Sequence, residues 1–328
     1  MNEALYPWLH ATWQRLQAQR RAGRLGHALL LHGPGGLGKA RLARAFAESL
    51  LCETPDADGF ACGRCTACQL LAAGTHPDLL QVGPPEGKSV IAIDSIRELS
   101  ARLAMTSHAG GYQACLLQPA EAMNSAAANS LLKTLEEPTD NTVLLLITEQ
   151  PARLPATIRS RCQMLRLSPP DSSEAVAWLQ AQCPEEAADR LLELADGAPL
   201  KALQLAEAGV LEDREQWLQQ LSGIRAGQLD PLQVAADWAQ DETLRPLHWF
   251  GRWLMDMIRL RSGAAWRLGN EDQRGLLEGL ARDLEPRQLF ALLDQAWEAL
   301  RLLPTSVNRQ LLMEDLLIRW ARTARNRP

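Results

Sequence analysis

No stretch of this sequence approaches the uninterrupted apolar length that a membrane span requires. Residues 1–24 form a polar, Trp- and Arg-containing helical pattern without the apolar centre of a signal peptide. A cytoplasmic protein is therefore expected, and in that reducing compartment its seven cysteines read as thiols or metal ligands rather than disulfides. Positive charge is not in excess: 34 Lys and Arg against 39 Asp and Glu leave a net charge of -5. That balance argues against a broad basic surface that neutralises many phosphates unaided, so any DNA contact is expected to be shared with other proteins. Lysine is scarce, with only Lys39, Lys88, Lys133 and Lys201 among the basic residues; the bias looks genomic and carries no function. With 46% hydrophobic content, the 328 residues suffice for two or three domains with packed cores, which sets disorder aside.

The first half alternates short apolar runs with helical patterns. Residues 27–32, 79–82, 112–117, 142–148 and 163–167 each predict a buried strand, being short, almost continuously apolar and bounded by Gly, Pro or polar residues. Such alternation implies a mostly parallel sheet covered by helices on both faces, with ligands at the carboxyl ends of the strands. After Ser168-Pro169-Pro170 the strands stop. Helical periodicity over 173–182 and 185–208, punctuated by Cys183-Pro184 and Gly197-Ala198-Pro199, predicts a small helical segment. From Leu211 onward about five further amphipathic helices follow, 244–261 and 287–303 among them. The fold class is α/β followed by all-α, in three domains: 1–167, 168–209 and 210–328. Trp238, Trp249 and Trp253 fall at helical spacing and are expected in a core or an interface.

Gly33-Pro34-Gly35-Gly36-Leu37-Gly38-Lys39-Ala40 follows a predicted strand and opens a predicted helix, the context of a phosphate-binding P-loop. Gly33, Gly35, Gly36 and Gly38 let backbone N–H groups turn toward phosphate oxygens, and Lys39 would reach the outer phosphates. Hydrolytic P-loops carry Ser or Thr where this chain has Ala40, and a methyl group cannot hold magnesium. The acidic pair expected after the strand at 112–117 is also missing: Pro119 and Ala120 stand there, with Glu121 out of register. Hydrolysis is therefore not expected. ATP or ADP binding without hydrolysis, and a purely structural turn, both remain open readings.

Cys52, Cys62, Cys65 and Cys68 form a C-x9-C-x2-C-x2-C array between the P-loop helix and the second strand. Two adjacent C-x2-C steps with a fourth cysteine in reach can supply four thiolates to a structural zinc ion, and Pro55, Gly59 and Gly63 permit the turns this needs. An iron-sulfur cluster is the main competitor. Cys115 lies in a predicted core strand, where it would act as a small hydrophobe. Arg159-Ser160-Arg161-Cys162 precedes the last strand. An arginine at such a helix-to-strand edge can project toward a neighbouring protein as an arginine finger, although local sequence alone favours a solvated or salt-bridged surface residue.

The P-loop, the cysteine array, Arg159-Ser160-Arg161-Cys162 and the run Ala126-Ala127-Ala128-Asn129-Ser130-Leu131-Leu132-Lys133-Thr134-Leu135-Glu136-Glu137-Pro138 together resemble the delta-prime family of bacterial DNA polymerase III clamp-loader subunits, within the AAA+ class. The resemblance covers the first two domains well and the third by type only. It implies an AAA+ P-loop domain (1–167) with a zinc module at 52–68, a helical lid and a helical collar. Arg161 would be the arginine finger acting in trans. The chain would be a non-hydrolysing member of a hetero-pentamer with gamma/tau ATPase subunits and a delta subunit, loading a sliding clamp onto primer-template DNA. Polymerase activity would belong to the assembly. Where hydrolysing relatives place a nucleotide-sensing lid arginine, this chain has Leu200. A gamma/tau-type motor subunit and a free-standing zinc-containing DNA-binding protein are the alternatives; Ala40, Pro119 and Leu200 count against the first. The acidic balance and the lack of a basic, aromatic stripe near the cysteines count against the second.

Overall fold

Burying one leucine side chain stabilises a fold by roughly 1.5–3 kcal/mol, and the run Ala28-Leu29-Leu30-Leu31 is apolar on both sides of a pleat, so it calls for cover on both faces. In the computed structural model, which describes residues 5–107, 110–184, 187–241, 245–264, 268–303 and 307–325, this run is β1 (Ala28–His32). It lies inside a five-stranded parallel sheet with β2 (Leu79–Val82), β3 (Gln113–Leu117), β4 (Thr142–Thr148) and β5 (Gln163–Arg166), in the order β2-β3-β4-β1-β5. Along β1, β3 and β4 burial is nearly complete. The expectation of buried strands fails at the two edges, where β2 and β5 each bury one residue, Leu80 and Leu165. An edge strand has a neighbour on one side only, and the second face of β5 leaves Met164 41% exposed.

Among the described residues six α-helices accompany the strands: α1 (His10–Arg21), α2 (Lys39–Leu51), α3 (Thr66–Ala72), α4 (Ile93–Leu103), α5 (Ser125–Glu136) and α6 (Ala156–Arg159). Side chains alternate between the faces of a strand, and the two faces meet different partners. Leu29, Leu31, Leu145 and Ile147 pack with Leu42 and Phe46 of α2. Leu30, Leu144 and Leu146 pack with Ile96 and Leu99 of α4 and Leu131 and Leu135 of α5. Cys115 belongs to the second face as the small hydrophobe expected, and full burial pushes its thiol up to about 12.

Beyond the sheet come α7 (Ser172–Gln182), α8 (Ala188–Leu194) and α9 (Pro199–Glu207), with the predicted break at Gly197 in place and Glu185 outside the described residues. Six more helices follow among the described residues, where about five were expected: α10 (Val210–Arg225), α11 (Pro231–Gln240), α12 (Arg245–Arg261), α13 (Arg274–Ala281), α14 (Pro286–Leu302) and α15 (Arg309–Arg325). The start expected for α12, Leu244, lies outside the described residues. No described helix is long and apolar enough to cross a membrane. The chain divides into two compact units, Met1–Ala188 with Ala195–Leu203, and Asp189–Leu194 with Gln204–Pro328.

The second unit buries Trp238, Trp249 and Trp253 in one core with Phe250 and Trp320, so the three tryptophans read at helical spacing are core residues. Two charges are buried beside it. Asp256 accepts hydrogen bonds from the Gly269 backbone N–H (3.0 Å) and the Asn270 amide (2.7 Å) and pairs with Arg259 (2.8 Å). Arg214 donates to Asn270 (3.1 Å) and Asp272 (2.9 Å). Buried charges persist only when paired and hydrogen-bonded, and Asn270 links these two.

Removing the Asp256 carboxylate takes the acceptor from the Gly269 N–H and the Asn270 amide and the partner from the half-exposed Arg259. Asp256→Ala is expected to destabilise the helical unit by about 2–4 kcal/mol, read from tryptophan fluorescence during urea unfolding. Asp315→Ala, which breaks the exposed Arg319 pair on one helix face, should change stability by less than about 0.5 kcal/mol. Equal effects would remove the buried network from this account.

Candidate functional site

β1 ends at His32 and α2 begins at Lys39, so the predicted P-loop is a strand-to-helix turn. Gly33, Gly35, Gly36 and Gly38 all lie in it, and Gly38 caps α2 with φ +81°. Lys39 is 5% exposed and its ammonium turns onto its own loop, donating to the carbonyls of Gly33 (2.9 Å) and Pro34 (2.5 Å). Glu149, just past β4, stands 3.7 Å from the same nitrogen. Burial holds the Lys39 ammonium below its ordinary pKa, with Glu149 and then Glu121 opposing. The Ala40 methyl follows, with no hydroxyl to offer a metal. β3 ends at Leu117 and runs into Gln118, Pro119 and Ala120, none of them ionisable. Glu121 instead braces the turn after β4, accepting from the backbone N–H groups of Glu149 (3.0 Å) and Gln150 (3.3 Å). Glu149 was missed from sequence, since a polar residue after a strand gives no sign of its partner.

The start of α9 lies on this loop. The Leu200 N–H donates to the Gly36 carbonyl (3.1 Å), and a Cβ on Gly36 would meet the backbone nitrogen and Cβ of Lys201 at 2.7 Å. Tyr6 and Trp8 stack beside the loop with ring centroids 5.1 Å apart, Trp178 stands edge-on to both, and the Trp8 indole donates to the Leu37 carbonyl (3.0 Å).

The four clustered cysteines converge. Cys52, Cys62, Cys65 and Cys68 place their sulfurs within 4.8 Å of one another, with Cys52–Cys65 and Cys62–Cys68 each at 3.9 Å. Backbone N–H groups point at three of the sulfurs: Cys62 at Cys52 (3.2 Å), Cys65 at Cys62 and Cys68 at Cys65 (both 3.4 Å). Gly63, with φ +74°, makes the turn between the paired cysteines. The Thr54 hydroxyl, helped by the backbone N–H groups of Arg64 and Cys65, draws the Cys62 thiol down to about 5, while burial pushes Cys52 and Cys68 up. Four thiolates this close would repel one another without a cation, so the donor set fits a metal ion. A tetrahedron with bonds of about 2.3 Å has edges of about 3.8 Å, close to the two sulfur pairs.

This module is tied to the P-loop helix by aromatic packing. Trp13 of α1 stacks on Phe60 (4.2 Å), meets Phe46 of α2 edge-on (6.1 Å) and donates to the Asp58 carbonyl (2.9 Å). Gln17 bridges the Ser49 hydroxyl of α2 (3.0 Å) and the Gly59 carbonyl (3.2 Å).

Arg161 lies across the sheet from the P-loop, at the edge formed by the starts of the strands rather than their ends. Leu29 pairs with Gln163 and His32 with Arg166, so Arg161 is level with His27, about 20 Å along the strand direction from the P-loop at about 3.3 Å per residue. It cannot serve its own P-loop. Its guanidinium Nη2 pairs with Glu136 at 2.6 Å and Nη1 donates to the Thr157 carbonyl at 3.1 Å, with the side chain 37% exposed. The salt-bridged surface arginine favoured by local sequence is therefore present. Glu136 was not singled out from sequence as its partner.

The family described as "DNA polymerase III, delta subunit" matches residues 8–171, and "DNA polymerase III, delta subunit, C terminal" matches residues 208–322. DNA polymerase III subunit delta' of Pseudomonas aeruginosa is 39% identical over 325 residues, covering 97% of each chain. The Escherichia coli subunit of the same name is 37% identical over 319 residues, covering 96% of this chain and 94% of the relative. Among solved structures, a DNA polymerase III gamma subunit-related protein from Thermotoga maritima aligns with 94% of this chain and 99% of its own at 18% identity and a TM-score of 0.46.

The contact between Gly36 and Lys201 makes Gly36 sensitive twice over, through φ +75° and through lack of space. Gly36→Ala is expected to destabilise the sheet unit by at least about 2 kcal/mol. Gly74→Ala, with φ +71° but nothing within 4 Å, should do so by about 1 kcal/mol. Urea unfolding of both variants measures the difference, and equal values would mean that α9 does not press on the loop.

Proposed function

The chain belongs to the delta-prime family of DNA polymerase III subunits, and from that membership we propose that it is a non-hydrolysing subunit of the clamp loader. In this reading it sits in a hetero-pentamer with gamma/tau ATPase subunits and a delta subunit in the cytoplasm, and helps place a sliding clamp on primer-template DNA. The observation that carries the reading is the division of labour across the sheet. The edge where the strands end holds a P-loop stripped of both magnesium anchors, with Ala40 after the lysine, no acid at the three positions after β3, and Glu121 engaged by the backbone of Glu149 and Gln150. The opposite edge holds Arg161, out of reach of that loop and partly exposed. An arginine so placed acts on a neighbour's nucleotide: it stabilises charge on the transferred phosphoryl group, an effect worth roughly three to five orders of magnitude in rate where such fingers operate.

The division of the chain follows the same reading, with residues 1–167 as the AAA+ domain, 168–209 as the lid and 210–328 as the collar. Gly33, Gly36 and Gly38 keep positive φ in the strand-to-helix turn, so ADP or ATP binding without turnover is compatible with this reading. The contacts of Lys39 with Gly33, Pro34 and Glu149 would have to yield to a phosphate, which makes such binding weak. For the cysteine module the reading is structural zinc. The 3.9 Å sulfur pairs suit one tetrahedral ion better than a cluster of several irons, which spreads its ligands further apart, and four thiolates leave no position open for catalysis.

Two measurements test this. The purified chain should show no magnesium-dependent ATP turnover, alone or with DNA, whereas Arg161→Ala in the reconstituted clamp loader should lower clamp- and DNA-stimulated turnover; turnover by the isolated chain that disappears in Lys39→Ala would make it a motor instead. Elemental analysis should find one zinc ion per chain, less than about a tenth of that in Cys65→Ser, and no change in Cys115→Ser. Iron in place of zinc would transfer the module to the competing reading.

A further inference from the structure

Glu136 ends α5 and Glu137 follows it. Carboxylates at a helix C-terminus face the negative end of the helix dipole, so Glu136 is poorly placed to stabilise its own helix. Its carboxylate instead meets the Arg161 guanidinium at 2.6 Å. Both backbones are fixed from beneath. Leu135, the residue before Glu136, and Ile158 and Cys162, which flank Arg161, are buried in one apolar cluster. The Leu135 carbonyl is also hydrogen-bonded by His27 (3.0 Å) at the start of β1. The ion pair then sets what the backbone leaves free, the long side chain of the arginine. It does so from one corner: one oxygen meets Nη2, the Thr157 carbonyl takes Nη1 (3.1 Å), and a guanidinium with five N–H donors keeps others for a phosphoryl oxygen.

We infer that Glu136 is the positioning residue for Arg161, holding the guanidinium in the orientation in which a neighbouring subunit's nucleotide meets it. The inference rests on the reading of Arg161 as the trans-acting finger. It gives the Leu-Glu-Glu-Pro segment a task that its amphipathic pattern does not reveal: the buried Leu135 anchors and the exposed Glu136 aims. A carboxylate that aims an arginine lowers the entropy lost on reaching the transition state, and so acts on turnover rather than on nucleotide affinity.

The test uses the clamp loader reconstituted from this chain, its ATPase and delta subunits, the sliding clamp and primed DNA, with steady-state ATP turnover measured against ATP concentration. Arg161→Ala defines the Arg161-dependent part of turnover. Glu136→Ala is expected to remove the larger part of it, about a tenfold fall, with KM for ATP, assembly and thermal unfolding unchanged. Glu136→Gln, which keeps an acceptor at the same reach, should recover part of the loss. The double variant should be no slower than Arg161→Ala. Normal or faster turnover in Glu136→Ala, or losses that multiply in the double variant, would overturn the positioning role and leave the finger reading intact. Normal turnover in Arg161→Ala would overturn both.

Discussion

Strand direction in the parallel sheet is the constraint on which the arrangement of this molecule depends. With all five strands running the same way, everything that follows a strand gathers at one edge and everything that precedes a strand gathers at the other. The P-loop after β1, Glu121 after β3 and Glu149 after β4 therefore share one edge. Arg161 before β5, His27 before β1 and the end of α5 share the opposite one. A chain built this way offers a nucleotide-type loop on one side and a cation on the other, and cannot bring them together by itself. Under the proposed function, the union of such a loop with such an arginine falls to two different subunits.

The two edges are held with different firmness. At the P-loop edge, Lys39 is nearly buried and satisfied by carbonyls of its own loop, and α9 presses on Gly36, so the turn is packed from both sides. At the arginine edge the backbone is anchored by Leu135, Ile158 and Cys162, while the side chains remain in contact with solvent. That contrast leaves a half-exposed arginine on a rigid base. The helical unit instead links buried polar groups to one another, Asp256 and Arg214 through Asn270, beside a tryptophan-rich core.

Much of this was legible in the order of residues. β2 and β4 lie where continuous apolar runs predicted them, and the other three strands differ by a residue at one end, because buried parallel strands write themselves as unbroken apolar segments. The lower burial of β2 and β5 was not legible, since edge position is decided by strand order, which no single segment encodes. The cysteine cluster was legible because ligand spacing is local. Glu149 and Glu136 were not: each pairs with a cation brought near only by strand register or by the packing of α5 and α6, and an exposed glutamate after a strand or at a helix end looks the same whether or not it has a partner.

Trp13 touches, on one ring system, the loop that precedes three of the four cysteines and the helix that springs from the P-loop. Whatever fixes the sulfurs also fixes Phe60, and whatever fixes Phe60 supports the indole against which α2 rests. The cysteine module is thus a keystone as much as an ornament: if it holds an ion, as proposed, a chain lacking that ion would arrive with the first helix of its sheet unit loosely seated. Trace-element supply would then act on the shape of the subunit before it acted on any chemistry.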